Sequence, residues 1–244
     1  EALELIGVAA HDLANPLHML QLLLSKLRRS NLEDPEKVRT GLAAADRQTK
    51  RLGQLLSNLL DLSRSSSGAL ALELSEVDLG ELVREVLERS AEQAAEAGCA
   101  LSAELSPELR GRWDRMRLDR VVTNLISNAL KFGRGQPVSV RGWSNDGQVF
   151  LTVRDRGPGI PRESQGRIFG RFERAAGGEG KAGFGLGLYI VRQLVEAHGG
   201  HIRVESNPGE GASFIVELPR DSGAIASRAP SASSSGEEHP GGHG

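Results

Sequence analysis

Apolar residues recur at helical spacing through the opening sixty or so residues, and no other feature restricts the possible fold of this chain as much. Leu3, Ile6, Ala9, Ala10, Leu13, Leu17, Leu20, Leu24 and Leu27 form one stripe, which predicts a helix over residues 1 to about 29. Asn31 to Pro35 interrupts it, and Asp34-Pro35 is a start signal for a second helix reaching about Ser63. Val38, Leu42, Ala45, Leu52, Leu55, Leu56, Leu59 and Leu62 supply its stripe. Two long helices joined by a tight turn make an antiparallel hairpin. Each stripe is wider than one partner helix covers, so the expected solution is a four-helix bundle built by two copies, a homodimer. The alternative is a monomer whose stripe the rest of the chain covers.

The first helix carries Ala10-His11-Asp12-Leu13-Ala14-Asn15-Pro16-Leu17. His11 and Asn15 are four apart and share a face, and Asp12 lies beside His11 at the edge of the stripe. Pro16 supplies no N–H to the carbonyl of Asp12, and its ring pushes against that carbonyl, which predicts a bend just after His11. A single histidine on an amphipathic helix is ordinarily structural. The combination His-Asp-Leu-x-Asn-Pro-Leu carries more, because it resembles the phosphoacceptor box of the sensor histidine kinases of bacterial two-component systems. Ala14 stands where that family has a basic residue. His18, about two turns from His11 and without an acidic neighbour, is the rival acceptor; its expected role is structural or in partner docking.

Bulk properties exclude several classes. A formal net charge of -2 with both signs interspersed gives no electrostatic case for nucleic acid. The only cysteine, Cys99, forms no disulfide within the chain, which favours a reducing compartment, and it excludes a cysteine zinc cluster. Its small apolar neighbours suggest a buried residue. No apolar run approaches the ~20 residues needed to cross a bilayer, and no signal peptide is present. The expected location is cytoplasmic. The chain enters a helix at once from Glu1, so it reads as a fragment whose upstream sensor segment is missing, with membrane tethering of the full-length protein left open.

Ser63 to Gly68 is polar and flexible in composition and reads as a domain boundary. Beyond it, Ala69 to Leu74 alternates as a strand, and Asp78 caps a helix from Leu79 to about Ala97. Ala100 to Leu105 is an expected strand and Leu118 to Phe132 an expected helix. Val138 to Trp143 and Val149 to Arg154 flank the hairpin turn Asn145-Asp146-Gly147. A helix from about Leu186 to His198 and a hairpin from His201 to Leu218 complete an α+β sandwich of two layers. From Arg220 onward Ser, Gly, Ala and Pro dominate, and the tail should be disordered. The expected division is 1–66 helical hairpin, 69–219 sandwich domain and 220–244 tail.

Four segments of the second domain suit a nucleotide. Asn124 and Asn128 are four apart on one helix, with Lys131 just beyond. Two amides and an ammonium suit a magnesium ion already neutralised by phosphates, since Mg²⁺ keeps several waters and one side-chain carbonyl can be enough. Asp155-Arg156-Gly157-Pro158-Gly159 follows a strand, where a carboxylate can accept the exocyclic amine of adenine while the glycines let the backbone approach the ring. Gly183-Phe184-Gly185-Leu186-Gly187-Leu188 opens a helix, a phosphate cradle. Between them, Ile168 to Arg174 and the apolar-poor run 175–182 read as a hinged lid, from which Arg174 could reach a γ-phosphate. Each segment alone is an ordinary sequence.

In this order the four segments resemble the N, G1, F and G2 boxes of the GHKL ATPase superfamily, named for gyrase, the heat-shock chaperone, histidine kinase and mismatch-repair members. The resemblance implies a Bergerat-type sandwich binding ATP and Mg²⁺. It implies that Asn128 binds Mg²⁺ with Asn124 assisting, that Lys131 contacts phosphate and that Asp155 binds adenine. It further implies that Gly157 and Gly159 shape the base pocket, that Gly183, Gly185 and Gly187 line the phosphates, and that Arg174 helps the γ-phosphate. Gly170 stands where the family often has an acidic residue.

Hydrolysing members of the superfamily carry Glu where this chain has Asn124, and an amide is no general base at neutral pH. A protein nucleophile is therefore expected, and His11 is the candidate. The expected activity is autophosphorylation of His11 from Mg-ATP, helped by Asp12, followed by transfer to an aspartate of a separate response-regulator receiver domain. The same resemblance implies that Asn15 positions water for dephosphorylating that partner. The alternatives are a dimeric ATP-binding scaffold without catalysis and a GHKL ATPase.

Overall fold

The computed structural model describes residues 2–29, 34–65, 72–171, 173 and 185–222, and for 2–12, 29, 51, 54–55 and 57–65 the backbone only. Helix α1 (Ala2–Arg29) runs without interruption past Pro16, and α2 (Pro35–Ser65) packs against it. Asp34 starts α2 as expected: its Oδ1 accepts the Lys37 N–H at 3.3 Å, and Pro35 occupies the first helical position, where no N–H is needed. The helix continues through Ser63 to Ser65, two residues into the polar run expected to break it. Arg220 to Ser222, expected to open a disordered tail, instead pack on the sandwich: the Arg220 N–H donates to the Gly147 carbonyl at 3.0 Å and Ser222 is buried. Residues 66–71 and 223–244, which hold the rest of the expected boundary and of the tail, lie outside the described residues.

Of the strand expected over 69–74, residues 69–71 lie outside the described residues and 72–74 are irregular. The first strand among the described residues is β1 (Ser75–Asp78), fixed by antiparallel pairing with β3 (Arg110–Trp113) rather than by its own alternation. Asp78 does cap a helix, accepting the Glu81 N–H at 3.1 Å. That helix divides into α3 (Leu79–Arg89) and α4 (Ala91–Ala97), because the Ser90 hydroxyl donates to the Val86 carbonyl at 2.7 Å, a local bond that competes with helix continuation.

The main sheet has the order β2-β4-β5-β7-β6, from β2 (Leu101–Leu105), β4 (Val138–Asn145), β5 (Gln148–Arg154), β6 (His201–Ser206) and β7 (Ala212–Pro219). Only the β2–β4 pairing is parallel. Asp146 and Gly147, both at positive φ (48° and 79°), turn β4 into β5, the conformation that a two-residue hairpin loop requires. Alternation sends Val138, Val140, Val149, Leu151, Val153, Phe214, Val216 and Leu218 to one face, where they meet α5 (Arg115–Phe132) and α7 (Gly187–Ala197). On the other face Trp143 and Phe150 stack at 5.1 Å. Trp113 is fully buried and its Nε1 donates to the Pro219 carbonyl at 2.7 Å, joining the small sheet to the large one. Cys99 is buried as expected. Among the described residues no helix is long and apolar enough to cross a membrane.

Candidate functional site

Helix α5 starts at Asp114, whose Oδ1 accepts the Arg117 N–H at 3.0 Å. Its apolar positions Leu118, Val121, Val122, Leu125, Ile126 and Leu130 are buried against the sheet and neighbouring helices. Asn124, Asn128 and Lys131 are therefore left half-buried along its edge. Helix α7 begins beside them. A Cβ on Gly187, its first residue, would stand 3.6 Å from Asn124 Oδ1 and 4.0 Å from Asn128 Nδ2. The two amides thus face the start of α7, whose free N–H groups and positive dipole end favour an anion. Gly185 precedes that turn at φ 64°. Lys131 Nζ lies 4.7 Å from the ring centre of Phe132.

Asp155 follows β5 and is 4% exposed. Its N–H extends the ladder to the Ala212 carbonyl at 2.9 Å, and its Oδ1 accepts the Gly157 N–H at 2.8 Å. Burial pushes its pKa up from the ordinary aspartate value, against the pull of its bonds from Gly157 and Ala212 and the charge of Arg154. Close approach dictates the two glycines that follow. A Cβ on Gly157 would come within 2.5 Å of the Phe132 carbonyl oxygen. One on Gly159, at φ 73°, would come within 2.1 Å of the Asn207 carbonyl oxygen. The loop is thereby pressed between the end of α5 and the β6–β7 turn.

Residues that sequence reading did not single out hold this loop in place. Ser206 Oγ accepts the Ile160 N–H at 2.8 Å and donates to the Gly211 carbonyl at 2.6 Å. Gln165, which ends the short helix α6 (Arg162–Gln165), donates from Nε2 to the carbonyls of Ile160 at 2.9 Å and Ser206 at 2.8 Å. The Gly209 N–H reaches the Pro158 carbonyl at 2.7 Å. The bonds from Ile160 to Ser206, from Gln165 to Ser206 and from Gly209 to Pro158 join residues more than forty apart, so no local spacing announces them.

The anchor expected for the lid is present: Phe169 is buried and meets Phe214 edge to face at 6.4 Å. Arg171 sits over the Tyr189 ring at 5.0 Å. Arg174, the run 175–182 and Gly183 lie outside the described residues. On the hairpin, Asn15 and His18 are exposed, and His11 and Asp12 are placed by backbone alone.

Residues 113–222 match the model of the "Histidine kinase-, DNA gyrase B-, and HSP90-like ATPase" family, and residues 1–68 match that of the "His Kinase A (phospho-acceptor) domain". The catalytic domain of histidine kinase ThkA superposes with a TM-score of 0.56 at 32% identity, and the match covers 98% of that chain and 62% of this one. The chain belongs to the sensor histidine kinases. Within that family it is 35% identical over 220 residues to the alginate biosynthesis sensor protein KinB of Pseudomonas aeruginosa, covering 88% of this chain and 36% of KinB. This histidine kinase chain thus spans a little over a third of such a relative. Full-length ShkA in complex with AMPPNP aligns at TM-score 0.65 and 31% identity, over 75% of this chain and 39% of that one. ThkA in complex with the response regulator TrrA aligns at TM-score 0.67 and 26% identity, over 90% and 62%.

Proposed function

We propose that this chain transfers the γ-phosphoryl group of ATP to His11 and then to an aspartate on a separate receiver domain. The observation that carries the reading is Asn124. Its amide faces Gly187 at the start of α7, where a water-activating carboxylate would be needed for hydrolysis. Adenine would sit against Asp155, whose buried carboxylate, held at Oδ1 by the Gly157 N–H, suits the exocyclic amine. The phosphates would lie at the α7 N-terminus with Lys131, Gly183, Gly185 and Gly187, and Arg174 would approach the γ-phosphate.

Magnesium fits the donor set. Among the described residues no group of three His, Cys, Asp or Glu could hold a bare metal ion, whereas neutral amides suit one already bound to phosphate oxygens. Asn128 would hold it with Asn124 assisting, and the ion supplies charge neutralisation on the triphosphate. His11 Nε2 attacks the γ-phosphorus in line. The N–P bond forms, the bond to the bridging oxygen breaks and ADP leaves, while Asp12 holds the Nδ1 proton and stabilises the charge developing on the ring.

Partners follow from the surface. Leu17, Leu22, Leu24, Leu42 and Leu56 are each about half exposed on the hairpin, which supports a second copy as their cover. ThkA in its complex with TrrA supports a response regulator as the receiver. The exposure of Asn15 favours a second activity, dephosphorylation of that regulator by a water held one turn from His11. The proposed division is the expected one, 1–66 hairpin, 69–219 ATP domain and 220–244 tail, with Arg220 to Ser222 moved to the ATP domain on which they pack.

The test is incubation with γ-labelled ATP and Mg²⁺ beside His11→Gln and His18→Gln variants. Acid-labile, alkali-stable label lost only in His11→Gln is expected. Labelling that survives in His11→Gln, or ATP turnover without any labelled protein, would overturn the reading.

A further inference from the structure

Helix α7 touches α5 at both of its own ends. At one, Gly187 meets Asn124 and Asn128. At the other, His198, which ends α7, meets Asp114, which begins α5: its Nε2 accepts the Asp114 backbone N–H at 3.0 Å. The helices therefore run antiparallel, and the eleven residues of α7 at ~1.5 Å rise put the two contacts about 16 Å apart. His198 is fully buried, and its Nδ1 donates to the Leu194 carbonyl at 2.7 Å. A backbone N–H is always a donor, so Nε2 must be the unprotonated nitrogen. The Asp114 carboxylate is engaged elsewhere, with Oδ1 accepting the Arg117 N–H and Oδ2 the Glu73 N–H at 3.1 Å.

We propose that His198 is a positioning residue for the triphosphate end of the nucleotide: by accepting the Asp114 N–H it sets the axial register of α7 against α5. That register fixes how Gly187 stands against Asn124 and Asn128. The proposal rests on the nucleotide reading of those three residues. Asp155 and its loop are held by the β6–β7 turn instead, so the adenine end is independent of it. Protonation of His198 would set an N–H against the Asp114 N–H. Burial lowers its pKa, the bond to the Leu194 carbonyl and the Asp114 charge oppose that shift, and the Arg117 charge adds to it.

The experiment measures binding of a non-hydrolysable ATP analogue with Mg²⁺, and separately of adenosine, to the whole chain and its His198→Leu and His198→Gln variants. Leucine leaves the Asp114 N–H unpaired in the core, and the analogue should bind about tenfold more weakly while adenosine binding stays within about twofold. Glutamine can still accept that N–H, and should restore most of the affinity. As pH falls below 6.5, the analogue-to-adenosine affinity ratio should drop further in the wild type than in His198→Gln. The triphosphate titrates in both, so the difference reports His198. Equal loss of both ligands in a folded leucine variant, unchanged analogue binding in it, or a glutamine variant as weak as leucine overturns the proposal. Should leucine prevent folding, the pH comparison decides. A wild-type chain that binds neither ligand refutes the underlying nucleotide reading instead.

Discussion

The hairpin and the ATP domain are built from equally regular helices, yet they close their cores differently. In the ATP domain Leu82, Val83, Trp113, Leu125 and Ile126 are fully buried within one chain. On the hairpin Leu22 is 51% exposed, Leu42 56% and Leu56 55%. The domain that would bind ATP is thus complete in one copy, whereas the helices carrying His11 need further apolar cover. A mutation in either region should therefore be felt in a different observable.

The largest effect is expected in the closed core. Leu125→Ala should destabilise the ATP domain by about 2–5 kcal/mol and leave the oligomeric state unchanged, read by thermal melting beside light scattering. Next, Asp155→Asn should weaken ATP binding about 100-fold, or roughly 3 kcal/mol, because an amide N–H would face the exocyclic amine. It should not lower the melting temperature. Burial raises the folded pKa of Asp155 above 3.8, so its favourable contribution exists below that value and is lost as pH rises through the folded pKa. At neutral pH the ionised form is a net cost that Asn removes. Leu22→Asp should act in the opposite region, shifting dimer to monomer in sedimentation by an amount on the order of 2–3 kcal/mol without moving the ATP-domain melt.

The smallest effect is with pH. His198 has a folded pKa below 6.5, so its contribution is whole above pH 6.5 and is lost as pH falls through the folded pKa. The ATP-domain melting temperature of the wild type should decline over that window more than that of His198→Gln.

Much of this was readable from the chain because the signals are local. Helical periodicity marked α1, α2 and α5, Asn145-Asp146-Gly147 marked the β4–β5 turn, and the spacing of Asn124 and Asn128 marked one edge of a helix. What escaped depends on distant partners. The pairing of β1 with β3 joins Ser75 to Trp113, a distant partner that the alternation of residues 69–74 does not reveal. The break at Ser90 comes from one hydroxyl reaching Val86, in a residue type that helices also tolerate. His198 looked like the end of a helix and nothing more, since its meaning lies in Asp114, 84 positions away. Ser206 and Gln165 support the Asp155 loop across 46 and 41 positions, and composition carries no trace of that.

The contrast between a self-sufficient ATP domain and a receiving hairpin is tested most directly by locating the phosphoryl group itself. Wild-type protein incubated with Mg-ATP and digested at alkaline pH should yield, by tandem mass spectrometry, a phosphoramidate on His11 and none on His18. Phosphate found on His18, or ADP formed in step with free phosphate while the peptide around His11 stays unmodified, would contradict it.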